Sequence, residues 1–184
     1  GSDCLVEGFY FTGAVNAGDG IYAEWNSPNI WADNLTIRHC LFDDEIDTAI
    51  QLEFVWYANI HDCSFEECDE YGIYVDTGGS GIAYAKIYDN KFMDCSTAAM
   101  SLLGGSSNNQ IYQNSFWEGG AQVPVASVNV YLNTTGGGSN MVFDNWFACT
   151  LAGGNGDWAD TCSSAATDAW INNHLVDGDN VLNP

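Results

Sequence analysis

A six-residue phrase recurs seven times along the chain, and this repeat restricts the possible folds more than any other feature of the sequence. The phrase reads apolar, any, any, Asn or Cys, any, aromatic, as in IYDNKF at 87–92, and its two terminal copies are degenerate. Successive copies begin 23 to 31 residues apart, which is the period of a solenoid coil with loops of variable length. The first residues of the copies are Val6, Ile37, Ile60, Ile87, Ile111, Val142 and Trp170.

A second alternating segment follows most copies of the phrase. It has apolar residues at every other position, as in AIQL at 49–52 and GIYV at 72–75. This period of two is typical of short β-strands with the apolar side chains turned inward. The pattern predicts an all-β chain, a right-handed parallel β-helix (solenoid) of about seven coils, in which the strands of successive coils pair in parallel.

The repeat resembles that of the pectate-lyase-like right-handed parallel β-helices, from Val6 to about Leu182. That superfamily includes polysaccharide lyases, glycoside hydrolases and bacteriophage tailspikes, and the compact phrases here resemble the β-helix segments of phage tailspikes and fibres. Its members stack asparagines at a tight turn, which implies a ladder whose Asn residues adopt a left-handed backbone and bond to one another. The residues at that place are Cys40, Cys63, Asn90, Asn114, Asn145 and Asn173.

The chain is predicted to be a single β-helix domain over residues 1–184. Residues 148–169 break the coil pattern with the stretch TLAGGNGDWADT, so we expect an irregular excursion there. No amphipathic helix precedes the first phrase to cover the open end of the solenoid, and unpaired strand edges recruit other chains. We therefore expect an adjoining domain of a longer chain or a homo-oligomer, and the tailspike resemblance implies a trimer.

Acidic residues outnumber basic residues by 25 to 3, which gives a formal net charge of −22. Such a charge repels the phosphates of nucleic acids, so no nucleic-acid partner is expected. It also repels anionic membranes and polyuronates unless a cation intervenes. No apolar run approaches the roughly 20 residues of a membrane span, which argues against membrane insertion.

Six of the seven cysteines fall into two groups. Cys149 and Cys162 bracket the excursion, where a disulfide would remove loop entropy, and both a disulfide and free thiols stay open for this pair. Four others occupy matching places in successive coils and are expected to form stacks of reduced, buried thiols, although such stacking also brings cysteines within disulfide range. These two stacks are Cys40 with Cys63 and Cys68 with Cys95.

The second residue after the aromatic of the phrase is acidic in four successive coils: Asp44, Glu67, Asp94 and Glu118. Neighbouring carboxylates about 5 Å apart match a retaining glycosidase, and those two coils apart match an inverting one. We take Asp44 and Glu67 as the candidate catalytic pair, one as acid and one as base or nucleophile. Two alternatives stay open, a calcium site formed by Asp44, Glu67 and Asp94, and a solvent-facing strand position that carries acids without a chemical role.

Arg38 and His61 occupy the same column of adjacent coils, and His39 lies beside them. By the resemblance, a lyase of the pectate type needs a base, usually Arg or Lys, and a calcium ion or another cation to neutralise the uronate. Arg38 and His61 are the candidates for that chemistry. Ion pairs with the surrounding acids are the alternative interpretation.

Seven Trp and nine Tyr are more than a core of this size requires. Exposed aromatic rings bind sugar faces and form subunit contacts. Tyr22 and Tyr74 are predicted to face outward on one sheet, and Tyr88 and Tyr112 outward beside the phrase. These four are the candidate substrate-binding residues.

The sequence therefore favours a structural or receptor-binding β-helix of a phage or another extracellular assembly that contacts polysaccharide. The resemblance implies an extracellular or virion-associated location. One alternative is a carbohydrate-active enzyme, either a glycoside hydrolase or a calcium-dependent polysaccharide lyase. Another is a calcium-dependent adhesion module, and calcium is the one cofactor that the residues suggest.

Overall fold

The computed structural model describes residues 3–13, 18–24, 33–44, 46–76, 81–118, 128–133, 137–149, 158–160 and 168–175. These residues form twenty short β-strands. In chain order the strands are β1 (Cys4–Glu7), β2 (Tyr10–Thr12), β3 (Ile21–Ala23), β4 (Leu35–Arg38), β5 (Leu41–Asp43), β6 (Thr48–Leu52), β7 (Asn59–His61), β8 (Ser64–Glu66), β9 (Tyr71–Val75), β10 (Lys86–Tyr88), β11 (Lys91–Met93), β12 (Ala98–Leu103), β13 (Gln110–Tyr112), β14 (Ser115–Glu118), β15 (Val128–Asn133), β16 (Met141–Phe143), β17 (Trp146–Cys149), β18 (Trp158–Asp160), β19 (Ala169–Ile171) and β20 (His174–Leu175).

The strands form three parallel sheets around a common core. Sheet 1 has the order β1-β4-β7-β10-β13-β16-β19, sheet 2 the order β2-β5-β8-β11-β14-β17-β20, and sheet 3 the order β18-β15-β12-β9-β6-β3. Each strand pairs with its counterparts in the neighbouring coils, which confirms the predicted all-β parallel solenoid. Within the described part of the chain, no helix is both long and apolar enough to cross a bilayer.

The register of sheet 1 follows the repeat phrase. Val6 pairs with Ile37, Ile37 with Ile60, and Ile60 with Ile87, and the later copies continue in the same register. These first residues point inward, and the four isoleucines among them are completely buried. A slip of one residue would turn this apolar column outward, so the hydrophobic pattern fixes the register.

The aromatic position of the phrase forms a column of stacked rings inside sheet 2. Its ring centroids lie 4.5 to 5.0 Å apart and neighbouring ring planes differ by no more than 10°. This distance matches the spacing of about 4.8 Å between paired strands, so one ring per coil fills the core without gaps. The column consists of Phe11, Phe42, Phe65, Phe92, Phe116 and Phe147.

A buried asparagine ladder occupies the bend between sheets 1 and 2, as the resemblance implied. The Asn114 amide nitrogen donates to Asn145 Oδ1 at 3.0 Å and to the Ile87 carbonyl at 2.9 Å. Asn114 Oδ1 in turn accepts from the backbone and side-chain nitrogens of Asn90. Asn145 makes the corresponding bonds to Asn173. Each side chain therefore satisfies polar backbone groups of the bend that would otherwise be buried without partners.

The two cysteines of the ladder make part of the same pattern. Cys63 Sγ lies 3.8 Å from the Ile37 carbonyl, which is the position that an Asn amide would contact, and 3.3 Å from the His61 carbonyl. The backbone nitrogen of Cys63 donates to Asn90 Oδ1. Cys40 Sγ contacts the Val6 carbonyl in the same way. A thiol thus fills the ladder position and keeps one weak bond of the two that an asparagine amide donates.

The expectation that the ladder asparagines themselves adopt the left-handed backbone is wrong. The positive φ angles lie one residue earlier, at the exposed position of each bend, for example 54° at Asp89 and 56° at Gln113. The inward-pointing asparagine makes the hydrogen bonds, and the left-handed residue before it turns the chain from sheet 1 into sheet 2. The left-handed residues of this bend are Gly8, His39, Asp62, Asp89, Gln113, Asp144 and Asn172.

A second ladder, which the sequence analysis missed, lies where the chain enters sheet 1. Asn109 donates to Asn140 Oδ1 at 2.8 Å, and Asn140 donates to Asp168 Oδ1 at 3.1 Å. The signal in the sequence was an asparagine two residues before the phrase. This asparagine is present only in two later coils, as Asn109 and Asn140.

Part of the predicted excursion is regular. Residues 158–160 form β18, which pairs in parallel with β15 and supplies the strand that ends sheet 3. Residues 150–157 and 161–167 of the excursion lie outside the described part of the chain, and so does Cys162 of the predicted disulfide.

We expect Asn114→Ala to lower the free energy of unfolding by roughly 3 kcal/mol, because several buried polar groups lose their partners at once. Asn114→Cys, which copies the earlier coils, should cost less. Gln110→Ala, on the outer face of the preceding strand β13, is the matched control and should change stability by less than about 0.5 kcal/mol. Urea denaturation followed by circular dichroism measures all three, and equal costs for Asn114→Ala and Gln110→Ala would contradict the role of the ladder.

We also expect the stacked cysteines to resist alkylation in the folded protein. Burial raises the pKa of Cys63 to about 12, and contact with Cys95 together with burial raises the pKa of Cys68. The exposed Cys4 is the internal control. Iodoacetamide labelling near neutral pH, read by peptide mass spectrometry, should modify Cys4 first and the stacked cysteines only after denaturation. Rapid labelling of Cys63 in the native state would contradict its burial.

Candidate functional site

A shallow groove runs along the outside of the bend between sheets 1 and 2, and we call it the bend groove. Its volume is about 810 Å³, and it crosses five successive coils. Because the repeat phrase builds this bend, each coil contributes its middle residues to the groove. The lining residues are Gly8, Phe9, Tyr10, His39, Cys40, Leu41, Asp62, Cys63, Ser64, Asp89, Asn90, Lys91, Gln113 and Ser115.

The bend groove presents donors and acceptors of several kinds. His39 lies near two carboxylates, with Nδ1 3.5 Å from Glu7 Oε1 and Nε2 3.9 Å from Asp62 Oδ2. Lys91 Nζ lies 3.4 Å from Glu66 Oε1. These pairs are substantially exposed, so they contribute little stability and exchange readily with a ligand.

Two exposed aromatic rings lie at the first-coil end of the groove. Phe9 and Tyr10 are 57% and 60% exposed, far more than the rings of the core. The Tyr10 hydroxyl donates to Asp43 Oδ2 at 2.9 Å, and this bond raises the pKa of Tyr10. The sequence analysis did not select these two residues, because a degenerate first copy of the phrase hides their relation to the bend.

Arg38 and His61 are engaged by acidic neighbours. Arg38 Nε lies 3.0 Å from Glu7 Oε1, and the contact with Arg38 lowers the pKa of that carboxyl. His61 Nδ1 lies 2.7 Å from Asp62 Oδ2, and its ring is stacked on Tyr88 at 4.8 Å. The ion-pair interpretation therefore describes both residues better than the role of a free lyase base.

Three of the four residues of the predicted carboxylate column do not lie on a strand. Asp44, Glu67 and Asp94 follow the strands of sheet 2 and have φ angles of 53°, 52° and 54°, so they occupy left-handed turns. Their backbone nitrogens donate to carbonyls of the next coil. The fourth member differs, because Glu118 is the last residue of β14. The acids of this column lie outside the bend groove, at the opposite ends of the sheet 2 strands.

The described residues give the calcium hypothesis no support. They contain no group of three or more acidic, histidine or cysteine side chains placed to hold a metal ion. Asp44, Glu67 and Asp94 occupy equivalent turns of successive coils.

Tyr88 and Tyr112 face outward on sheet 1 as predicted, but they are not open sugar platforms. The four rings of this column are stacked in the order His61, Tyr88, Tyr112, Phe143, with centroids 4.8 to 5.0 Å apart. Both faces of each tyrosine ring are covered by its neighbours. Only ring edges and hydroxyls remain for a ligand.

The two tyrosines of sheet 3 differ from each other. Tyr22 is 47% exposed, and its hydroxyl lies within hydrogen-bond distance of Glu24 Oε2 at 2.8 Å and Glu53 Oε1 at 3.0 Å, which raises its pKa. Tyr74 is half-buried and stacked on Tyr71 at 4.6 Å. The two carboxylates beside Tyr22 give its surroundings a strongly acidic character.

We expect the left-handed turn, and not the negative charge, to govern substitutions at Glu67. Glu67→Asn should raise the free energy of unfolding by about 1 kcal/mol, because Asn tolerates this backbone better than Glu. Glu67→Gln, which removes the charge and keeps the side-chain shape, is the matched control and should be nearly neutral. Asp44→Asn should likewise keep the fold. Chemical denaturation measures the three variants, and unfolding of Glu67→Gln would show that the carboxylate is structurally required.

The comparison with protein families agrees with this architecture. The family model described as "Right handed beta helix region" matches residues 1–148, which is most of the chain. No significant match was found among curated proteins, and none was found among solved structures. The parallel three-sheet solenoid and the family match lead to one conclusion: the chain belongs to the right-handed β-helix family.

Proposed function

We propose that the protein is a structural or receptor-binding β-helix of a phage or another extracellular assembly, and that it contacts polysaccharide through the bend groove. The observation that supports this proposal is the continuity of the groove over five successive coils. A repetitive surface of this kind suits a polymer whose own units repeat.

The lining chemistry suits sugar hydroxyls. Ser64, Ser115 and Gln113 offer neutral donors and acceptors, and His39 and Lys91 add stronger donors. The exposed rings of Phe9 and Tyr10 provide apolar surface for the C–H face of a sugar.

The charge of the protein favours a neutral polysaccharide. A net charge of −22 repels a polyuronate along its whole length. The two basic side chains that line the groove, His39 and Lys91, both lie beside carboxylates of the protein itself.

The enzyme and adhesion alternatives have less support. Glycoside hydrolysis by Asp44 and Glu67 would place the chemistry away from the groove. Elimination would require Arg38 or His61 to leave their ion pairs with Glu7 and Asp62. Calcium-dependent adhesion would require a carboxylate cluster that the described residues lack.

Affinity gel electrophoresis on neutral and acidic polysaccharides tests the proposal. New reducing ends and unsaturated uronates are measured in parallel. Each assay is run once with calcium and once with a chelator. We expect retardation by a neutral polysaccharide, without cleavage. Lys91→Ser, which copies Ser64 and Ser115 at the equivalent position, and His39→Asn, which suits the left-handed turn, should each weaken binding about threefold to tenfold. Trp117→Thr, which removes an exposed ring of β14 that does not line the groove, is the control.

The possible outcomes separate the candidate functions. Absence of binding to every polysaccharide would overturn the proposal. Cleavage that disappears in Asp44→Asn or Glu67→Gln would establish a hydrolase, and unsaturated products would establish a lyase that uses Arg38 and His61. The expected homo-oligomer stays a prediction that sedimentation velocity measures.

A further inference from the structure

We propose that the exposed ring pair Tyr57–Tyr84, at the corner where each coil enters sheet 1, is a second carbohydrate contact that takes neutral pyranose rings on its two outer faces. This inference rests on the proposed polysaccharide contact and adds a site outside the bend groove. It lies at the other end of the sheet 1 strands.

A column of left-handed residues defines this corner. The backbone nitrogens of the first four members donate to carbonyls of the next coil, as from Tyr57 to Ala83 at 2.9 Å and from Tyr84 to Ser107 at 3.2 Å. The φ angles lie between 56° and 60°. The members of the column are Asn34, Tyr57, Tyr84, Asn108 and Ser139.

The two tyrosines are unusual at such a position. A left-handed backbone suits Asn, which fills the column at Asn34 and Asn108, but it is unfavourable for a bulky aromatic residue. The fold of this corner does not require rings, because other coils form it without them. A strained backbone that persists at an exposed position points to a use of the side chain itself.

The geometry of the pair leaves ring surface open. The Tyr57 and Tyr84 centroids are 5.3 Å apart with planes 16° from parallel, and the residues are 47% and 50% exposed. The stack ends after two rings, since the next members of the column are Asn34 on one side and Asn108 on the other. The pair thus differs from Tyr88 and Tyr112, because each of those two rings is stacked against a neighbouring ring on both faces.

The groups around the pair complement a sugar. Asn34 and Asn108 are exposed, so their amides can bond to hydroxyls of a ring stacked on the adjacent tyrosine. Lys86, two residues after Tyr84, is exposed, and among the described residues no carboxylate lies within salt-bridge distance of it. Its ammonium adds a donor for hydroxyls. The charge of the whole protein argues for a neutral sugar here, as in the groove.

The test uses a substitution that suits the fold and removes the ring. Tyr84→Asn copies Asn34 and Asn108, so relief of the backbone should offset the lost stack and leave the melting temperature within about 3 °C of the wild type. The probe is the neutral polysaccharide that most retards the wild type in affinity gels. We expect this variant to bind it about tenfold more weakly, measured by isothermal titration calorimetry. Tyr84→Phe keeps the ring and should retain most of the affinity. Trp117→Thr, which removes a ring of similar exposure on sheet 2 that does not line the groove, should bind as the wild type does.

The outcomes distinguish this site from the proposed function as a whole. Unchanged affinity of Tyr84→Asn, with weaker binding by Lys91→Ser, would overturn the ring-pair site and leave the groove proposal in place. Absence of binding by the wild type would overturn both. Equal losses in Tyr84→Asn and Trp117→Thr would also overturn the site, because the effect would then follow from any removed ring.

Discussion

The hydrogen bonds of the buried asparagine ladder are the constraint on which the rest of the structure depends. At each bend between sheets 1 and 2 the chain turns at a left-handed residue, and the peptide groups of the bend cannot all pair within a sheet. Asn90, Asn114 and Asn145 satisfy those groups and bond to the next coil in the same step. The ladder therefore fixes both the shape of one coil and its position on the next.

In-register stacking turns every position of the repeat into a column, inside and outside. Inside, the column of stacked Phe rings and the column of Ile side chains fill the core, each with the spacing between paired strands. Outside, the same rule makes an aromatic residue either a member of a long stack, as Tyr88 and Tyr112 are, or the end of a short one, as Tyr84 is. The length of the stack decides whether a ring face remains open to a ligand.

The acidic surface has a related explanation. Asp44, Glu67 and Asp94 share a column because a left-handed turn follows each of the strands β5, β8 and β11. Asp is among the residues that tolerate such turns, although Glu is less suited to them. A periodic row of acids can thus arise from the repeat itself, without catalysis. Contact with a polymer, spread over several coils, uses the same periodicity more directly than a single catalytic pair would.

The sequence by itself determined the fold class, the coil boundaries and the register, because a hydrophobic period of two and a recurring Asn or Cys at one place leave few other arrangements. It also identified the outward direction of Tyr88 and Tyr112. Only the tertiary structure decided which residue of the bend is left-handed, that Arg38 pairs with Glu7, and that Tyr57 and Tyr84 are stacked. Those features depend on contacts between residues more than twenty positions apart or on backbone angles, and a single repeat unit does not encode either one.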